Sequence, residues 1–224
     1  MDSIWEKHHS QRSWGKYPEI DLVKTVMREF KNKDRSAVSV LELGCGAGAN
    51  LSFFLCEGFQ TYGIDGSPSA INNADKNLSL IKSSQQKKGT PFYFLSVGDF
   101  KSLPYESEMF TIVVDNLSIY ANNSETIDDA YKEAFRVLKP NGFMYSRVWG
   151  NNTTGSKTGE MIDIHTSKAP LLGPCQGMGT SHFFSRDELL EHFSQFSSKT
   201  IKRITEENTS DDIYTEEWIV WAKK

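Results

Sequence analysis

The sequence predicts an α/β fold: a mostly parallel sheet with helices on both faces. Three observations predict it. Short apolar, β-branched runs alternate with helical periodicity along most of the 224 residues. One of those runs, "VLEL", stops in Gly44, Gly46 and Gly48 just before a helical segment. The chain then closes on two strand-like runs with a short connection, which reads as an antiparallel pair.

The elements follow in order. Residues 1–17 are polar but carry Trp5, Trp14 and Tyr17. From Pro18 a stripe of Ile20, Val23, Val26, Met27 and Phe30 repeats at spacings of three and four, which predicts a helix. Residues 38–43 read as a buried strand and residues 50–56 as the next helix, with Gly58 placed to end it. A second strand, residues 61–64, ends at Asp65. Ser67 as N-cap and Pro68 at the first helical position open another helix, with Ile71, Ala74 and Leu78 on its inner face. "PFYFLSV" and "FTIVVDN" are the third and fourth strands. Ser124 caps a helix whose stripe runs from Ile127 to Leu138, and "KPNG" stops it ahead of a fifth strand, "FMYSRVW". Residues 150–181, rich in Gly, Thr and Ser, read as a long loop of the functional kind. "SRDE" is a capping box, and "KTIKRIT" and "EEWIVWAKK" are the closing strands.

Composition narrows the function. Hydrophobic residues are 38% and charged residues 24%, an ordinary globular balance, and the net charge is -4. Scattered basic residues give no footprint for nucleic acid or an anionic membrane. Cys45, Cys56 and Cys175 are an odd number without close spacing, so neither a disulfide framework nor a zinc site is predicted. The polar N-terminus is unlike a signal peptide and no apolar run reaches the ~18 residues of a membrane span, which predicts a cytoplasmic protein.

The glycines suit a ligand that approaches the main chain closely. Beyond them the new helix offers free N–H groups. Asp65, at the end of the next strand, suits a ribose diol. Together they predict an adenosine-type cofactor. "GCGAGA" also satisfies a loose dinucleotide pattern. Glu42 argues against that alternative, because it would face a pyrophosphate there but would welcome a cation. The antiparallel ending leaves no room for a second βαβαβ half.

"VLELGCGAGAN", "GIDGSPSAI", "VGDF", "FTIVVDNLSIY" and "VLKPNGF" resemble, in order, the motifs of the class I S-adenosylmethionine-dependent methyltransferases. The resemblance implies a Rossmann-like seven-stranded sheet in the order 3-2-1-4-5-7-6, with strand 7 antiparallel. It implies S-adenosylmethionine as cofactor, its methionine and ribose against Gly44, Gly46 and Gly48, its ribose hydroxyls on Asp65 beside Gly66. Asp99 is similar to the adenine contact, with Gly98 or Phe100 near the ring. Asp115 and Asn116 match the strand end beside the methyl group.

For the acceptor side, His182 and His165 are candidate general bases, with Asp163 a further option and Asp115 close to the reacting centre. Trp5, Arg12, Trp14 and Tyr17 either fold over the cofactor as a lid within residues 1–36 or simply pack on the domain. His8 and His9 read as solvated, and no metal site is predicted. The whole chain, 1–224, reads as one domain, with residues 150–181 as an acceptor lid. A small molecule is the expected acceptor (a metabolite, sugar or natural-product precursor), on a monomer or homodimer. The alternatives are a protein or RNA methyltransferase working with a partner, and a non-catalytic cofactor-binding protein.

Overall fold

The computed structural model of the chain describes residues 2–12, 15–84 and 92–224. Strands β1 (Ser39–Leu43), β2 (Gln60–Asp65), β3 (Tyr93–Val97), β4 (Phe110–Asn116) and β5 (Leu138–Trp149) are mutually parallel. Three short strands, β6 (Glu160–Met161), β7 (Thr166–Lys168) and β8 (Thr180–His182), form a separate antiparallel sheet. β9 (Ser198–Asn208) and β10 (Ile213–Lys223) complete the main sheet, in the order β3-β2-β1-β4-β5-β10-β9. Counted among the seven main-sheet strands alone, that is 3-2-1-4-5-7-6, and β10 is antiparallel to both its neighbours.

The pleat sorts side chains into two layers, because successive residues of a strand face opposite ways. Val40, Ile112, Val114 and Tyr145 meet Leu22, Val26 and Phe30 of helix α2 (Ile20–Glu29) and Phe54 of helix α3 (Ala49–Cys56). Leu41, Leu43, Val113 and Met144 face the other way, onto Ile127, Ala130, Ala134 and Val137 of helix α5 (Ser124–Val137). Each fully buried aliphatic side chain contributes about 1.5–3 kcal/mol. The same parity aims Glu42 at α3 and Asp115 at α5, which decides what each can do.

Three local expectations need correction. Residues 3–11 form a helix, α1 (Ser3–Gln11), capped by Asp2, where sequence periodicity shows no clear stripe. The cap of α5 is Asn123, whose side chain accepts from Thr126 N at 3.0 Å; Ser124 is already inside the helix. Residues 150–181 are not a plain loop, since they hold β6, β7 and part of β8. Runs of two or three residues carry too little periodicity to be seen in sequence. Helices α4 (Pro68–Ser84) and α6 (Arg186–His192, with the Ser185–Glu188 capping box) fall where expected.

Candidate functional site

A cleft of about 410 Å³ opens at the C-terminal ends of β1, β2 and β4, where open α/β sheets bind ligands. One end is built from backbone. Gly44 and Gly46 adopt positive φ (62° and 53°), in the left-handed region that penalises a side chain. A Cβ on Gly44 would lie 2.4 Å from Ser118 Oγ, which donates to Leu43 O at 2.7 Å. Asp65 locks the turn: its Oδ2 accepts from Gly46 N at 2.9 Å and its Oδ1 from Ser67 N at 2.8 Å. Each oxygen keeps a second lone pair.

Glu42 stands beside this turn, almost fully buried. Its Oε1 accepts from Asn50 Nδ2 at 2.7 Å, while its Oε2 has no hydrogen-bond partner. Burial, helped by the nearby charges of Asp65 and Asp115 and opposed by the Asn50 bond, lifts its carboxyl to about 8. An orphaned buried carboxylate oxygen is costly unless a ligand satisfies it. It fits the positively charged end of an amino-acid-bearing nucleoside. Asn116 Oδ1 is a second buried, unpartnered acceptor on the same wall.

Helix α1 lies over the glycine end. Glu6 accepts from Ser69 Oγ at 2.6 Å and from Ser67 Oγ, so the helix is pinned to the start of α4. Asn73 Nδ2 donates to His9 O at 3.1 Å. At the other end, Thr180 N donates to Asp2 Oδ2 at 3.4 Å, which links α1 to the 150–181 segment. His9 lines the cleft, its ring 3.5 Å from where a Gly46 Cβ would be, so the solvated reading of this residue is corrected. Burial pulls its imidazole down, against Asp65 and Glu6.

The far end is built from side chains. Trp5, Tyr120, Trp149 and Met178 line it, from four separate parts of the chain. Tyr120 meets Trp5 and Trp149 edge-on, at ring-centroid distances of 6.5 and 6.4 Å.

Of the residues singled out in the sequence, Glu42, Gly44, Gly46, Asp65, Gly66, Gly98, Asp99, Phe100, Asn116 and Tyr17 share this wall. Asp99 also accepts from Lys101 N at 3.1 Å. Trp14 lies outside the described residues. Five others are elsewhere. Gly48 caps α3 at φ 79°, and a Cβ there would be 3.2 Å from that of Ala74, so it serves the packing of α3 on α4. Asp115 is fully buried in the α5 layer; it accepts from Ser118 N (3.1 Å), Ile119 N (2.9 Å) and Ser146 Oγ (2.7 Å). Burial raises its carboxyl to about 6, against those bonds. His182 is buried between Thr166 Oγ1 (2.7 Å) and Glu188 Oε1 (2.8 Å), away from the cleft wall. Burial pushes Glu188 up, but its bonds to His182 and His192 outweigh this and hold it at about 2. His165 stands next to His182, 6.0 Å between ring centroids, and is likewise off the wall; Asp163 bonds its own turn and Ser124. Sequence position alone favoured these histidines, because it cannot tell which side of a short strand faces the ligand. Of the aromatic wall the sequence singled out Trp5 alone; Tyr120, Trp149 and Met178 were missed for the opposite reason, since nothing in the sequence marks distant residues as neighbours.

Comparisons with known proteins fit this geometry. Residues 41–146 match a family model described as a methyltransferase domain. Over 120 residues the chain is 30% identical to the sterol 24-C-methyltransferase of Pneumocystis carinii, covering 51% of this chain and 29% of that protein. Over 117 residues it is 32% identical to a probable phthiotriol/phenolphthiotriol dimycocerosates methyltransferase of Mycobacterium ulcerans, covering 52% and 41%. The chain thus spans less than half the length of these curated relatives. In fold it is similar to a Methanosarcina mazei S-adenosylmethionine-dependent methyltransferase (TM-score 0.69, 18% identity, 92% of this chain and 98% of that one). It is also similar to the 1,6-didemethyltoxoflavin N1-methyltransferase of Burkholderia thailandensis, solved with 1,6-didemethyltoxoflavin and S-adenosylhomocysteine (TM-score 0.57, 12% identity, 91% and 85%).

Proposed function

We propose that this chain is a class I S-adenosylmethionine-dependent methyltransferase that transfers a methyl group to a small-molecule acceptor; the match of residues 41–146 to a methyltransferase-domain model and the similarity in fold to solved methyltransferases support this reading. One observation carries the reading. The Gly44–Gly46 turn, the Asp65 carboxylate and the orphaned Glu42 Oε2 converge on one wall of one cleft.

When bound, S-adenosylmethionine supplies an already activated methyl group on its sulfonium. The chain's own residues bind and orient. Gly44 and Gly46 offer main chain unobstructed by side chains. Asp65 accepts from the ribose hydroxyls with its remaining lone pairs. Glu42 balances the positive charge of the amino-acid end and gives up its proton in doing so. Asp99 and Phe100 hold the adenine. Helix α1 excludes water from above with Trp5 and His9 on the cleft wall, Tyr17 lies at the rim beyond the helix, and the 150–181 segment closes the acceptor end with Pro174 and Met178. Alignment of the two reactants is the main catalytic contribution asked of the fold, up to about 7–11 kcal/mol in favourable cases.

The small-molecule reading draws on two things. The relatives are named for a sterol, a mycobacterial lipid and a small heterocycle. Among the described residues the wall also carries no lysine or arginine, the side chains that pair with a nucleic-acid backbone. The direct test is a crystal of the S-adenosylhomocysteine complex. The ribose hydroxyls are expected within hydrogen-bond distance of Asp65 and the amino group near Glu42. A nucleoside bound elsewhere, or reversed in the cleft, refutes the assignment.

A further inference from the structure

The acceptor end of the cleft has a composition of its own. Trp5, Tyr120, Trp149, Met178 and Pro174 line it. The carboxyl groups of the wall, Glu42, Asp65 and Asp99, and its imidazole, His9, stand at the glycine end or beside the adenine position. His9 lies one helical turn from Trp5, over Gly46. No lysine or arginine lines the cleft among the described residues. Two further groups close off base catalysis at this end. Burial raises the Tyr120 hydroxyl far above its ordinary value, so it stays a neutral phenol. Asp115 is turned into the α5 layer with its oxygens occupied.

From this wall we infer that the acceptor is an uncharged, flat heteroaromatic molecule, methylated at a ring nitrogen that is nucleophilic without losing a proton. The inference rests on the methyltransferase reading above and narrows its substrate class. The wall supplies the two things such a ring needs, aromatic and thioether surface to stack on, and it withholds the cation that a phosphate or carboxylate would need. The step balances without a base. The nitrogen lone pair forms the new N–C bond as the methyl carbon's bond to sulfur breaks, and that electron pair returns to sulfur. The positive charge passes from sulfur to the ring, and no proton moves. The cationic product then faces aromatic rings and an acidic cleft, both of which tolerate it.

The experiment is a calorimetric titration of the full chain, saturated with S-adenosylhomocysteine, with three probes: quinoline, quinoline-6-carboxylate and phosphoethanolamine. Quinoline is expected to bind at least tenfold more tightly than its carboxylate, and phosphoethanolamine not at all. Trp149→Ala is expected to weaken quinoline at least tenfold. Met178→Lys is expected to strengthen quinoline-6-carboxylate at least tenfold; it tests the wall's charge by a gain rather than a loss. The inference is overturned if quinoline fails to bind, if either anionic probe binds as well as quinoline, or if both variants leave the order of affinities unchanged. Those outcomes leave the cofactor reading intact. Absence of S-adenosylhomocysteine binding itself overturns that reading, and this inference with it.

Discussion

The two ends of the cleft are made differently. The glycine end comes from one continuous stretch, residues 42–50, plus a carboxylate at the end of the adjacent strand. Its glycines leave main chain open to a ligand, with the Glu42 and Asp65 carboxyl groups beside it. The aromatic end comes from α1, the turn after β4, the end of β5 and the 150–181 segment, and Trp5, Tyr120, Trp149 and Met178 are its large side chains. The first depends on backbone conformation and on hydrogen bonds fixed by the fold. The second depends on packing between distant segments. Mutations should therefore act on the two ends in different currencies: stability and cofactor affinity at one, acceptor affinity at the other.

The largest expected effect is at Gly44. An alanine there meets both the positive φ and the Ser118 side chain, whose bond to Leu43 O must break. A loss of about 3 kcal/mol in unfolding stability follows from adding the two costs. Urea unfolding measures it, and a loss below about 1 kcal/mol would mean the turn is not built as described. Asp115 comes next and separates structural from catalytic roles. Asp115→Ala orphans the buried N–H of Ile119 and should cost about 2 kcal/mol. Asp115→Asn keeps an acceptor for that N–H and should cost under about 1 kcal/mol while leaving S-adenosylhomocysteine affinity intact. Equal damage from both variants would show that the charge itself is needed.

The contrast also explains what could be read from sequence. The glycines, Glu42 and Asp65 announce themselves because backbone strain and strand ends leave local residue signatures. The mostly parallel sheet follows from the alternation of strands and helices, whereas its strand order was legible only through the family resemblance. Tyr120 and Trp149 leave no such mark, since an aromatic residue after a strand looks alike whether it faces a cleft or a core. His182 shows the converse. Its place near a presumed lid suggested chemistry, yet β8 turns it inward onto Thr166 and Glu188. Helix α1 was hidden because it has no fully buried residue and so no strong stripe.

A smaller effect is a pH dependence confined to the glycine end. In the folded protein the Glu42 carboxyl titrates at about 8, above the ordinary 4.5. Stability from this group is therefore complete below about 4.5 and lost as pH rises through about 8. Affinity for the S-adenosylmethionine cation runs the other way, because the carboxylate forms as pH rises. Calorimetry from pH 6.5 to 8.5 should show affinity rising about three- to tenfold, and Glu42→Gln should flatten both trends. A wild-type affinity independent of pH would remove Glu42 from the cation site. The smallest expected effect sharpens the contrast most simply: Trp149→Ala should leave S-adenosylhomocysteine affinity within about twofold, because the side chain belongs to the other end. A tenfold loss of cofactor affinity there would merge the two ends into one.

No helix among the described residues is long and apolar enough to cross a membrane. The most direct test of the site is calorimetric titration of S-adenosylhomocysteine into the wild-type chain and into Asp65→Ala. A single site is expected in the wild type. The variant should bind at least about tenfold more weakly, since a charged hydrogen-bond acceptor is lost. Absence of binding to the wild type, or equal affinity in the variant, would contradict the claim that this glycine turn and its carboxylate hold the nucleoside.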